Sequence, residues 1–194
     1  MPSFVATRLR RLRRRTAAED GFGLIELLIA MTMLAIAVGA LVTVFVSSAV
    51  SLRRAGQKGT ALTLADKQME KYRTRTFTAV RIDGTLIPTS GTYVTANATD
   101  STLPPSTNQA VAGQNGDEPC STVDEPAACL PVQDVTGPDG HTYRIDTYVN
   151  YVNNDSTLSV RTPASDLNLK RVTVVVRDGS TGAIMARESS AFGT

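Results

Sequence analysis

The chain of 194 residues has no tryptophan, two cysteines and one histidine. That histidine, His141, lies beside a turn and reads as a solvated loop residue. No Ser-His-Asp order, phosphate-binding loop or metal-ligand cluster accompanies it. Two cysteines without a nearby histidine make a poor zinc site. Internal repeats are missing as well. These absences leave no catalytic constellation, cofactor or small-molecule substrate to assign, so the chain is expected not to be an enzyme. Lysine and arginine are absent from residues 82–143, a stretch with eight acidic side chains. Residues 53–81 just before it hold eight basic side chains against Asp66 and Glu70. Of the 20 basic side chains in the whole sequence, six are arginines within residues 1–21, so the formal net charge of +2 belongs to the N-terminus. A basic leader on an otherwise slightly acidic chain does not indicate nucleic-acid binding.

Proline is absent from residues 22–50, and so is every charge except Glu26. A run of about 20 apolar residues spans a bilayer as a helix. With arginines just before it, the positive-inside rule keeps the N-terminus cytoplasmic and sends the remainder outward. A cleavable signal peptide would need a shorter apolar core and a small-x-small site. Ala35-Ile36-Ala37 offers such a site, but the run continues past it. A plain uncleaved anchor is a second reading. Neither explains Glu26, because an ionisable side chain near the centre of a span costs about 2.5–3.5 kcal/mol and by default has a partner.

The stretch "DGFGLIELLIAM" (20–31) resembles the processing site of the type IV pilin superfamily, which includes type IV pilins and type II secretion pseudopilins. There a short basic leader ends in glycine, followed by an aromatic residue and an apolar helix with glutamate at its fifth position. Gly21, Phe22 and Glu26 occupy those places, while Gly23 departs from the threonine or serine usual after the aromatic residue. The resemblance covers residues 13 to about 45. It implies cleavage after Gly21 by prepilin peptidase and N-methylation of Phe22. It also implies partners among other pilin or pseudopilin subunits and the pilus assembly machinery in the membrane. Cleavage would create an α-amine on Phe22, cationic below a pKa of about 8. That amine can approach Glu26 of its own chain, four residues on, or pair with Glu26 of a neighbouring subunit. The resemblance favours the second, with Glu26 setting the axial register of a filament. A carboxylate satisfied locally by the helix N-terminus is the plainer alternative.

The helix is expected to continue to about Arg75. Leu52, Ala55, Gly59, Leu62, Ala65, Met69, Tyr72 and Thr76 recur at spacings of three and four, one stripe of an amphipathic helix. Gly39, Gly56 and Gly59 are weak points, about 1 kcal/mol each relative to alanine, and mark places where the helix could bend or melt. Thr, Ser, Asn, Gly and Pro dominate residues 78–140, which read as an irregular acidic connection with β-like pieces such as "TYVTA" (92–96). "YRIDTYVNY" (143–151) alternates as a half-buried strand, and "KRVTVVVRD" (170–178) alternates likewise. "DGSTG" (178–182) turns the second into "AIMARESSAF", and "GPDG" (137–140) joins a short strand near Val132–Val135 to the strand at 143. The expected fold is α+β: a long N-terminal helix, its first half membrane-spanning and its second amphipathic, packed on a small antiparallel sheet of about four strands. The implied division is a leader over 1–21, a transmembrane or filament-core helix over 22–50 and an amphipathic half over 51–76. An acidic connection over 77–140 and a C-terminal sheet over 141–194 complete it. "ALTLADKQMEKYRTRTF" and "LKRVTVVVRD" loosely resemble the minor-pilin branch.

Cys120 and Cys129 lie on the expected outer side, where disulfides persist. A bridge between them would close a small ring. Asp117, Glu118, Asp124 and Glu125 offer hard oxygen ligands of the kind calcium takes, though no calcium-loop motif is present. The basic stem and acidic connection either balance within the fold or attract each other between adjacent subunits. Together these features point to a structural subunit, by the loose resemblance a minor one, of a type IV pilus or secretion pseudopilus. It would sit single-pass in the cytoplasmic membrane before entering an extracytoplasmic filament. The competing class is a membrane-anchored binding domain that never assembles.

Overall fold

The computed structural model describes residues 23–94, 109–120, 128–153 and 168–194. One helix, α1 (Leu24–Arg73), covers 50 residues, about 75 Å at 1.5 Å per residue. It ends two residues short of expectation, with Lys71 and Arg73 in its last turn, where cations suit the helix dipole. Gly39, Gly56 and Gly59 are all helical and do not interrupt it. Contacts divide the chain into two units, residues 1–52 and 53–194.

In the first unit every described residue is exposed. Three of its hydroxyls turn back on the helix: Thr32 donates to the Ile29 carbonyl at 2.8 Å, Thr43 to Ala40 at 2.7 Å and Ser48 to Val44 at 2.8 Å. The surface therefore presents apolar side chains, with these three hydroxyls already satisfied, as suits a lipid or helix-packing environment.

The second unit has a four-stranded antiparallel sheet in the order β1 (Val132–Thr136), β2 (Thr142–Tyr151), β3 (Leu169–Asp178) and β4 (Ile184–Gly193). The fold is α+β, as the alternation and turn signals imply. Gly140 and Gly182 take φ of 72° and 71° in the β1–β2 and β3–β4 turns, a conformation that favours glycine. The Asp178 carboxylate accepts from the Ser180 and Thr181 backbone N–H groups at 2.9 and 2.8 Å, closing the second turn. The sheet begins at Val132, inside the segment assigned to the connection.

One sheet face meets α1. Tyr143, Ile145, Val149, Tyr151, Val172, Val174 and Val176 form a core with Ala61, Ala65, Met69 and Tyr72. Of the expected stripe only Ala65, Met69 and Tyr72 are buried, and Thr76 is exposed beyond the end of the helix. Leu52 is 77% and Leu62 54% exposed, whereas Ala61 is fully buried. The buried face takes Ala61 in place of Leu62 and adds Gln68, and its small alanines let the helix approach the sheet closely.

The opposite face carries a second cluster of Tyr93, Tyr148 and Val175, with Ile87, Val94 and Val132 against it. Strand β2 is consequently buried on both faces, not half-buried: Asp146 and Tyr148 are fully enclosed and Asn150 is 1% exposed. The covering material comes from the segment read as an irregular connection. Short 3₁₀ turns at Phe77–Ala79 and Gly84–Leu86 help fold it. Within the expected β-like piece, residues 92–94 form a helical turn, and 95–96 lie outside the described residues.

Candidate functional site

Glu26 lies in the first turn of α1 and is exposed. Its backbone N–H donates to the Gly23 carbonyl at 2.9 Å, in the first turn of the helix. Around it Leu24, Ile25, Leu27, Leu28 and Ile29 are exposed in every direction. Glu26 is the one charged side chain of the apolar run over residues 22–50, which opens a helix long and apolar enough to cross a membrane. Gly21 and Phe22 lie outside the described residues.

Cys120 and Cys129 form a disulfide with Cα atoms 6.0 Å apart. The bridge stands where three segments meet. The Tyr72 hydroxyl donates to the Ala128 carbonyl, and the Asp83 N–H donates to the Cys129 carbonyl at 2.8 Å. Burial pushes the Tyr72 phenol well above its ordinary range, so it acts as a fixed donor.

The acidic residues proposed as calcium ligands do not converge where they are described. Asp117 is buried and accepts from Lys170 Nζ at 2.5 Å and from the Tyr151 hydroxyl at 2.7 Å. Glu118 accepts from Thr78 Oγ1 at 2.8 Å. Asp124 and Glu125 lie outside the described residues, and among the described residues no group of three or more His, Cys, Asp or Glu could hold a metal.

Lys170 belongs to no sequence motif. It is fully buried and also donates to the Phe77 and Val80 carbonyls at 2.8 and 2.9 Å. The Phe77 ring centroid lies 4.4 Å from its ammonium, a favourable cation–π distance. Burial lowers its pKa, opposed by Asp117. Its signal was strand parity, which puts Lys170 on the same face as Val172, Val174 and Val176. Nearby, Arg81 donates to the Ala79, Glu118 and Pro119 carbonyls. One stem cation is thereby tied to the acidic connection within the chain, but through backbone oxygens. On the second face Asp146 receives Arg144 Nε and Arg177 Nε, each at 2.8 Å.

His141 is not the solvated residue expected. Its Nε2 is 2.9 Å from Asp178 Oδ2, and its ring meets Tyr143 edge-on at 5.0 Å. Asp178 is held far below the usual carboxylate range, first by the Ser180 hydroxyl at 2.6 Å. The serine thus bonds to the carboxylate and not to the imidazole. This is the wrong order for activating a nucleophile, and the trio links the two sheet turns instead.

No protein-family model matches this chain, and no curated protein or solved structure does either.

Proposed function

We propose that the chain is a prepilin-like structural subunit of a type IV pilus or related secretion pseudopilus. In this reading it waits in the cytoplasmic membrane, is trimmed after Gly21 by prepilin peptidase, is N-methylated on Phe22, and enters a helical filament through its apolar helix. The observation that carries the reading is Glu26: a single exposed carboxylate in the first turn of a 50-residue helix whose first half is otherwise apolar all round. Such a group in a span needs a cation, and cleavage after Gly21 would create one four residues away. A long helix that is unpartnered in its first half and carries a small sheet domain on its second suits a subunit whose core interface forms on assembly. The body, in this reading, is the extracytoplasmic part, consistent with its disulfide.

The mature mass tests the proposal. A chain beginning at Phe22 with one added methyl supports it. Intact residues 1–21 in cells with active prepilin peptidase overturn it, leaving an anchored domain that does not assemble.

A further inference from the structure

Arg53, Gly56, Gln57 and Thr60 follow one another at i, i+3, i+4 and i+7, so they share one face of α1. With Asp139 of the β1–β2 turn they line an open groove of about 300 Å³. Gly56 leaves its floor clear, since a Cβ there would meet nothing within 4 Å. Bonds that also dock the turn on the helix hold the Asp139 carboxylate in place. The Tyr143 hydroxyl donates to Asp139 Oδ2 at 2.6 Å and lies 3.3 Å from the Gln57 carbonyl, and the His141 backbone N–H donates to Oδ1 at 3.2 Å. The Tyr143 bond is the main reason Asp139 stays ionised below the ordinary carboxylate range. Arg53 is exposed, and no ion pair joins it to Asp139 among the described residues. The groove therefore holds a guanidinium and a carboxylate that do not neutralise each other, and it suits a ligand bearing both charges.

Arg53 follows the apolar run directly in sequence, separated from Val50 only by Ser51 and Leu52. On the membrane placement proposed above, on which this inference rests, that position falls at the outer headgroup layer. We infer that the groove seats the headgroup of a phosphatidylethanolamine lipid, with phosphate on Arg53 and the primary ammonium on Asp139. A phosphocholine headgroup carries the same charges but has no N–H to donate to the carboxylate. A phosphoglycerol headgroup has no cation, and Asp139 repels its charge. The inference also accounts for a glycine inside a helix at Gly56, where alanine would favour the helix by about 1 kcal/mol.

The test is native mass spectrometry of the full chain in nanodiscs containing phosphatidylcholine, phosphatidylethanolamine and phosphatidylglycerol in equal amounts, reading which lipids stay bound. Phosphatidylethanolamine is retained about fivefold over phosphatidylcholine, the discrimination one partly exposed charge pair supplies, and phosphatidylglycerol does not exceed phosphatidylcholine. Gly56→Leu fills the floor without weakening the helix, and Asp139→Asn removes the carboxylate charge. Each abolishes the preference. Equal retention of all three lipids by the unaltered chain overturns the inference, as does a preference that survives Gly56→Leu. So does phosphatidylglycerol in excess, which would assign binding to Arg53, Arg54 and Lys58 acting as a basic cluster. A chain that fails to enter nanodiscs overturns the membrane placement and this inference with it; one that enters without preference overturns the groove alone.

Discussion

Lys170 and Asp117 meet at 2.5 Å with their side chains 0% and 2% exposed, joining β3 to the segment before Cys120. Every donor of the ammonium has an acceptor: Asp117, the Phe77 carbonyl and the Val80 carbonyl. Removing one partner of such a pair strands a buried charge, at about 3–5 kcal/mol. Lys170→Met and Asp117→Leu are each expected to destabilise the body by that order in urea unfolding followed by tyrosine fluorescence. The double variant is expected to recover a large part of the loss, because two apolar side chains replace two charges. Additive losses would show that the pair is not the source of the effect.

The Cys120–Cys129 bridge spans a sequence separation of 9. By loop entropy a ring of that size contributes about 2–3 kcal/mol. Around it, Tyr72 and Asp83 bond to the Ala128 and Cys129 carbonyls, so opening it also loosens the end of α1. Cys120→Ser with Cys129→Ser should lower the melting temperature, and added reductant should shift the unaltered protein to the same value while leaving the variant unmoved. A midpoint indifferent to reductant in the unaltered protein would remove the disulfide from the stability of this domain.

Local pattern alone locates α1, β2, β3 and the turns beside them, because each has a strong local signature: an apolar run, a period of two, or Gly and Asp at fixed places. It fails where burial depends on material distant in sequence. Asp146, Tyr148 and Asn150 alternate with apolar residues and read as a solvent face. Tyr148 is enclosed because Ile87, Tyr93 and Val94 pack over β2, Asn150 pairs with Gln109, and Asp146 lies between Arg144 and Arg177; the covering segment has no signal beyond the short β-like piece at 92–96. Leu52 and Leu62 read as core for the opposite reason: a stripe shows that a face is apolar without showing which neighbour covers it. Glu26 was found by incongruity, as the one charge in its run. Lys170 is equally incongruous by strand parity, but the basic residues around it mask that signal.

Asp66 on α1 faces Glu188 on β4, whose pKa is raised by burial and then by Asp66, with Arg73 opposing at 2.8 Å. A carboxyl with a raised folded-state pKa binds its proton more tightly in the folded chain than in the unfolded one. Its contribution is therefore fully present below the unfolded value and is lost as pH rises through the folded one. Asp66→Asn removes the repulsion. It is expected to stabilise the protein at neutral pH by under about 1 kcal/mol, given partial exposure, and the gain should shrink as pH falls toward 4.5, the ordinary glutamate value. Thermal melts of both proteins across that range decide the matter; a constant difference at every pH would leave Asp66 without this role.

Glu26 stands in the first turn of α1, ahead of an apolar surface with nothing against it among the described residues. If its carboxylate serves assembly and not processing, the two steps must respond differently to its loss. Peptidase recognition of the Gly21–Phe22 bond should depend on the basic leader and the small-aromatic junction, which Glu26→Val leaves untouched. Glu26→Val also removes a charge that costs about 2.5–3.5 kcal/mol at the centre of a bilayer and less near its edge, so the variant should reside in the membrane at least as stably as the native chain. The expected outcome is normal trimming to a mature form beginning at Phe22, accumulation in the membrane fraction, and absence from sheared filaments. Glu26→Asp, which keeps the charge but draws it back by one methylene, should fall between the two. Normal incorporation of Glu26→Val into filaments would show that the register is set by apolar packing alone. Loss of trimming would instead place Glu26 in the peptidase's recognition of its substrate.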